Sequence, residues 1–293
     1  MQIEVKSLSY TYSKSSKNLS VKALNNVSLT VNEGDFFGII GQTGSGKSTF
    51  IQHLNGLIKM DKNSGEITIG EFNLAKKDCD FNKLRSKIGM VFQYPEYQLF
   101  ADTVFLDVAF GLKNFFSGLT EQQVEERVKE AIELVGLNYE EIKNKSPFEL
   151  SGGQKRRVAI AGVIVSHPEI LVLDEPAAGL DPKGKREFLN LLNKLHKTSV
   201  KTIIIVSHDM DLIAENCNRV AVFKAGEVVS VGSVKQVFAD KDLVENCGLE
   251  LPLTAFLVEE LKKKGIQLDC DLSVGTFIDG YLNATGVDKG EKA

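Results

Sequence analysis

The sequence has no surplus of cations, no paired cysteines and no long apolar run, and each absence removes a class of function. Its 35 Lys and Arg are outnumbered by 39 Asp and Glu, for a net charge of −4. Sequence-independent nucleic-acid binding runs on excess positive charge, so that class is set aside. The four cysteines, Cys79, Cys217, Cys247 and Cys270, are scattered and form no CxxC pair, which argues against a zinc site or a disulfide framework and fits a reducing compartment. The opening MQIEVKSLSY lacks the basic-then-apolar profile of a signal peptide, and no stretch is apolar for the ~18 residues a spanning helix needs. The expectation is a chain that does not cross a membrane by itself but is free to dock on something that does. Low-complexity tracts and repeats of 20 to 50 residues are also missing.

What is present is an ordered alternation of strands and helices. QIEVKSLSYTY, ALNNVSLTV and DFFGII read as strands, with NEGD as the turn before the third. A helix follows the next glycine-rich stretch and ends near Asn55 and Gly56. GEITIG reads as a strand, and KLRSKIGMVFQ as a basic linker feeding another. TEQQVEERVKEAIELVG places Val124, Val128, Ile132 and Val135 at helical spacing, with Gly136 as the cap. LSGGQKRRVAIAGVIVSHP announces a further helix ending before Pro168. EILVLDEP and TIIIVSHD are the near-continuous apolar runs of strands buried on both faces of a parallel sheet, with an amphipathic helix between them. RVAVFKAGEVVSVG reads as a hairpin turning at Ala225 and Gly226, and the remainder as mainly helical. The boundary falls near residue 235, leaving 236–293 as an extension.

The stretch GQTGSGKST comprises Gly41, Gln42, Thr43, Gly44, Ser45, Gly46, Lys47, Ser48 and Thr49. It fits G-x-x-x-x-G-K-[ST] between a buried strand and a helix, the setting of a phosphate-binding loop. Glycines let several backbone amides turn into one concavity, and the helix amino terminus adds partial positive charge. Lys47 is then placed for the β and γ phosphates and Ser48 for Mg²⁺. In ILVLDEP, Asp174 and Glu175 stand at the carboxyl end of a buried strand, where open α/β sheets bind ligands. Two adjacent carboxylates repel, which calls for a compensating cation. Asp174 is assigned to the metal and Glu175 to the attacking water.

With LSGGQ (Leu150 to Gln154) lying between the loop and ILVLDEP, the chain resembles the ATP-binding cassette family over residues 1 to about 235. The resemblance implies a RecA-like α/β core with an antiparallel β subdomain and a helical signature subdomain. It also implies ATP and Mg²⁺ as ligands. Tyr12 falls where an aromatic ring stacks on adenine, although Tyr10 lies on the same strand face. Gln93 falls where a glutamine reaches metal and water, and His208 where a histidine contacts the γ-phosphate. Ala177 to Asp181 stands where a loop crosses the dimer interface, with Ala177 departing from a common hydroxyl residue. Ser151, Gly152, Gly153 and Gln154 would close on nucleotide held by a second cassette.

Ser151 and Gln154 also form a capping-box pattern, leaving two glycines whose bare backbone admits close approach. Lys155, Arg156 and Arg157 crowd the first helical turn, against the macrodipole, and predict either an arriving anion or a solvated face.

FQYPEYQLF and the tail LPLTAFLVEELKKKGI are similar to the ATPases of energy-coupling factor transporters, nearest the second ATPase of the pair. That similarity implies a paralogous partner ATPase, a transmembrane coupling subunit, a substrate-binding membrane subunit and a place on the cytoplasmic face of the membrane. Tyr97, Leu99, Phe100, Val104 and Phe105 are read either as subdomain core or as a groove for a membrane partner's helix. Leu253, Phe256, Leu257 and Leu261 are read either as a dimer strip or as packing on their own domain. An ordinary importer ATPase, a soluble cassette acting on DNA or ribosomes, and an ATP-gated regulator remain the alternatives at this point.

Overall fold

In the computed structural model, residues 1–14, 19–270 and 272–286 are described. The chain forms β1 (Ile3–Lys14), β2 (Leu19–Val31) and β3 (Phe36–Ile40), then α1 (Lys47–Leu54), β4 (Glu66–Ile69) and β5 (Phe72–Asn73). Next, α2 (Phe81–Lys87) runs into β6 (Ile88–Val91). A helical block of α3 (Val104–Phe115), α4 (Glu121–Leu134), α5 (Tyr139–Ile142) and α6 (Gly152–Ile164) precedes β7 (Ile170–Asp174). After α7 (Pro182–Thr198), β8 (Thr202–Val206) and α8 (Met210–Asn216) come the hairpin strands β9 (Arg219–Lys224) and β10 (Glu227–Ser233). The tail is α9 (Val234–Ala239), α10 (Lys241–Asn246), α11 (Leu253–Lys263) and α12 (Val274–Thr285).

Two sheets carry the site. One is four-stranded and antiparallel in the order β2-β1-β4-β5; the other is six-stranded in the order β10-β9-β3-β8-β7-β6. In the second, β9, β3, β8, β7 and β6 run parallel, with β10 antiparallel at the edge. Every residue of β3, β6, β7 and β8 is buried, as expected of parallel strands covered on both faces. One core, with Phe37, Phe50 and Phe223, lies between the two sheets and α1. The other joins the opposite sheet face to the helical block and to Phe238, Val244 and Ala255 of the tail.

Local chemistry places the element ends where the sequence marks them. Thr120 and Gln123 close a complete capping box on α4, and Gly136 follows it with φ +78°. Ala225 and Gly226 both take positive φ, the backbone of a tight hairpin turn. The segment read as a basic linker is instead α2. Asp80 caps it by accepting from the amides of Asn82 and Lys83, and Arg85 donates to the carbonyls of Asn55 and Gly56 at the end of α1. With only Leu84 and Ser86 buried, α2 has no apolar stripe by which periodicity could find it. Asp80→Ala should destabilise the chain by about 1 kcal/mol in chemical denaturation, the usual size of a lost cap. An unchanged midpoint would contradict this account of α2.

Candidate functional site

The glycine loop leaves β3 at Ile40, and its backbone tolerates no side chain at two points. A Cβ on Gly41 would lie 2.2 Å from the Phe223 carbonyl, and one on Gly46, at φ +101°, 2.5 Å from that of Ala23. The hairpin turn braces the loop from behind, with the Gly226 amide donating to the Ser45 carbonyl at 3.0 Å. Lys47 is buried and donates to the carbonyls of Gly41 at 2.7 Å and Gln42 at 2.9 Å, so its ammonium is folded into the concavity. α1 begins with no side-chain cap and no acid in its first turn, and the Ser45 hydroxyl is buried without a partner. Thr43, Gly44 and Ser48 are exposed around the mouth. The Ser45 hydroxyl is thus a buried donor facing no protein acceptor, in a loop whose mouth is open, an arrangement suited to an anion.

β7 lies between β8 and β6, so the carboxyl ends of three strands deliver side chains to one place. Asp174 ends β7 and is nine-tenths buried. Burial pushes its carboxyl above the usual range, opposed by a hydrogen bond from Ser48 and by the charge of Lys47. Burial likewise pushes Lys47 down, opposed by Glu175 and Asp174. Both charges are thus under-compensated by the chain's own groups. A magnesium ion at Asp174 and Ser48, and phosphates at Lys47, supply the two missing charges, so the residues fit both groups. Among the described residues no cluster of three His, Cys, Asp or Glu would hold a metal unaided. Such an ion needs phosphate or water oxygens as well.

Glu175 follows with φ +46°, a left-handed conformation rare outside glycine, while its amide continues the sheet ladder to the Val206 carbonyl. This turn aims its carboxylate at His208, whose Nδ1 lies 2.8 Å from Oε2. Gln93 is exposed two residues beyond β6, the strand paired with β7. Asp181 caps α7 by accepting from the Gly184 amide at 2.6 Å. Tyr12 is 41 % exposed and its hydroxyl meets the Thr49 hydroxyl at 3.3 Å, which sets the ring beside the first turn of α1.

The signature opens α6 with a complete Ser151–Gln154 capping box. Ser151, Gly152 and Gly153 are exposed, and a Cβ on either glycine would meet nothing within 4 Å. Nothing in this chain therefore requires glycine there, although glycine weakens a helix. Two of the three cations that follow are accounted for differently from both sequence expectations. Arg156 is buried, donating two bonds to the Glu96 carboxylate at 3.0 Å each and others to the carbonyls of Pro176 and Ala178. Arg157 pairs with Glu187 and donates to the Val135 carbonyl.

The family model describing the ABC transporter matches residues 24–178, more than half of the chain. The chain belongs to the ABC transporter family. It is 47 % identical to the energy-coupling factor transporter ATP-binding protein EcfA2 of Clostridium tetani, over 92 % of this chain and 91 % of that one. To the protein of the same name from Clostridioides difficile it is 48 % identical, over 93 % of each. Among solved structures, cbiO1 of Clostridium perfringens, described as part of the ABC transporter complex cbiONQ, superposes with a TM-score of 0.71. It shows 40 % identity over 88 % of this chain and 98 % of that one. A dimeric ATP-binding cassette in a post-hydrolysis state with ADP and Pi superposes with a TM-score of 0.68. There the identity is 32 %, over 79 % of this chain and 98 % of that one. The ABC cassette is what all these matches share, and the two curated relatives are of the energy-coupling factor kind.

For such an ATPase, one link escaped sequence reasoning. Arg156 ties the signature helix to Glu96, beside the loop that carries Gln93, and to the turn after Glu175; only the fold brings those three segments together. The apolar stretch after Gln93 divides between core and surface. Leu99 and Val104 are buried and Phe105 packs partly on the core, whereas Tyr97 and Phe100 are exposed, joined by Leu106 and Phe110 of α3. The core reading therefore holds for Leu99 and Val104, while Tyr97 and Phe100 stay on the surface. Arg156→Gln should destabilise the chain by about 2 to 4 kcal/mol, because it strands Glu96 and two carbonyls. A loss under about 0.5 kcal/mol in chemical denaturation would contradict the link.

Proposed function

We propose that this chain is an ATP-hydrolysing subunit of an energy-coupling factor importer, powering uptake of vitamins or transition-metal ions through separate membrane subunits. The observation that carries the reading is the exposed Gly152–Gly153 pair. It has no steric role within the chain and suits close approach to a nucleotide held by another cassette. The loop amides and Lys47 hold the β and γ phosphates; Ser48, Gln93 and Asp174 hold the magnesium ion; Tyr12 stacks on adenine. Bound magnesium neutralises charge on the phosphates. Glu175, aimed by its positive φ and its contact with His208, orients the attacking water. His208 is placed to turn from Glu175 toward the γ-phosphate. Asp181 and the turn before it meet the partner cassette, as do Ser151 and Gln154.

Residues 1–235 are read as the nucleotide-binding domain and 236–293 as an extension that holds two ATPases together. Leu253 and Phe256 of α11, with Val274, Ile278 and Tyr281 of α12, are exposed and support that contact. Leu257 and Leu261 are only partly covered and complete the strip. The partner ATPase is read as a paralogue. The exposed Tyr97, Phe100, Leu106 and Phe110 suit a helix of a transmembrane coupling subunit, with a separate membrane subunit binding substrate. Among the described residues no helix is long and apolar enough to cross a membrane. The likeness to transporter ATP-binding subunits supports a peripheral place on the cytoplasmic face.

Two experiments test the reading. Glu175→Gln, assayed with its partner ATPase, should keep ATP binding and lose turnover by about a hundredfold to ten-thousandfold. Near-normal hydrolysis would contradict the assignment. The chain purified from its native membrane should bring a second ATPase and membrane proteins with it. Recovery of ribosomes or DNA in their place would overturn the transport reading.

A further inference from the structure

His53 is the buried titratable group that the proposed chemistry leaves unused. It sits on α1 with no exposed surface, one turn beyond Thr49. Its Nδ1 lies 2.7 Å from the Thr49 carbonyl. A carbonyl only accepts, so Nδ1 carries the proton and donates. Burial holds the imidazole below its ordinary pKa, opposed by that backbone bond and by Asp61, and the ring is neutral. Nε2 is then a bare acceptor, and it is buried with no partner. A phenylalanine or leucine would fill this volume without leaving a buried nitrogen unpaired, so packing alone does not account for histidine here.

The surroundings of the ring suggest what it does. The Tyr10 ring meets His53 nearly edge-on, with centroids 4.9 Å apart at 75°. The Tyr12 ring in turn meets Tyr10 at 4.9 Å and 89°. The register of β1 against β2 shifts between Tyr10 and Thr11, an irregularity that re-aims a strand's side chains. Tyr12 then returns to α1 through its hydroxyl contact with Thr49. Thr49, His53, Tyr10 and Tyr12 thus form a closed circuit. It starts and ends on the helix turn that follows Lys47 and Ser48.

We infer that His53 is a positioning residue for nucleotide base recognition: through Tyr10 it sets the tilt and height of the Tyr12 ring relative to the phosphate loop. The inference rests on the reading of Tyr12 as the adenine-stacking ring. The neutral imidazole, locked by the Thr49 carbonyl, gives Tyr10 an edge of fixed orientation, and Tyr10 gives Tyr12 the same. The span from base to phosphates is thereby fixed by contacts to a single helix. Tyr10, half-buried beneath Tyr12, is a spacer in this scheme and not a second stacking ring.

The test is calorimetric titration of the full chain with magnesium ATP and, separately, with magnesium tripolyphosphate, which has no base. Tyr12→Ala should weaken ATP about tenfold, the size of a lost stacking contact, and leave tripolyphosphate unchanged. His53→Ala and Tyr10→Leu should each weaken ATP by roughly threefold to tenfold, again without effect on tripolyphosphate. His53→Phe, which keeps a ring edge against Tyr10 but loses the Nδ1 bond that locks it to the Thr49 carbonyl, should recover only part of the loss. In a Tyr12→Ala background neither substitution should weaken ATP further, because the ring they position is gone. Losses that simply add in that background, or a parallel loss of tripolyphosphate affinity, overturn the inference. Loss with Tyr12→Ala but with neither His53→Ala nor Tyr10→Leu overturns it alone and leaves the stacking reading intact. If Tyr12→Ala leaves ATP affinity unchanged, the stacking reading itself falls and the inference with it. Should His53→Ala fail to fold, Tyr10→Leu decides the matter, since its side chain is only partly buried.

Discussion

Two buried charges that the chain does not neutralise, the ammonium of Lys47 and the carboxylate of Asp174, are the constraint on which the rest of the structure depends. Each is shifted by burial toward its neutral form, and each lies within electrostatic reach of the other. Left to itself the chain satisfies Lys47 with carbonyls of its own loop. A triphosphate with its magnesium offers both missing charges at once.

The sheet exists in the form that serves this deficit. Parallel strands buried on both faces place Lys47, Asp174 and His208 at the same edge, because each strand ends there and its successor begins at the other. The hairpin turn at Gly226 holds the loop from outside the sheet, and Gly41 and Gly46 are the residues whose missing side chains allow that approach. Arg156 carries the consequence outward. It is bonded at once to Glu96 and to the turn after Glu175, so one guanidinium joins the signature helix, the turn at the end of β7 and the segment that carries Tyr97.

The parts legible from sequence were those whose chemistry is local. A glycine loop between an apolar run and a helix, an acid pair ending a second run, and a Ser–Gln capping box are all written in neighbouring residues, and the structure places each as read. The strands β7 and β8 announced themselves as unbroken apolar segments. What could not be read was set by distant partners. α2 reads as a linker because its cap and its Arg85 contacts, not an apolar stripe, define it. The cations after the signature looked like an unresolved conflict because Glu96 and Glu187 lie 60 and 30 residues away. His53 looked ordinary because Tyr10 reaches it only through the packing of β1 on α1.

The central claim is that Lys47 and Asp174 form one incomplete charge set, completed only by nucleotide and metal together. The most direct measurement is the thermal unfolding of the full chain with ATP, with magnesium, and with both. Together they should stabilise the chain far more than the separate shifts combined, with about 2.7 kcal/mol gained at a hundredfold excess over the dissociation constant. Equal stabilisation by ATP in the presence of a chelator, or no stabilisation by the pair, would contradict the account.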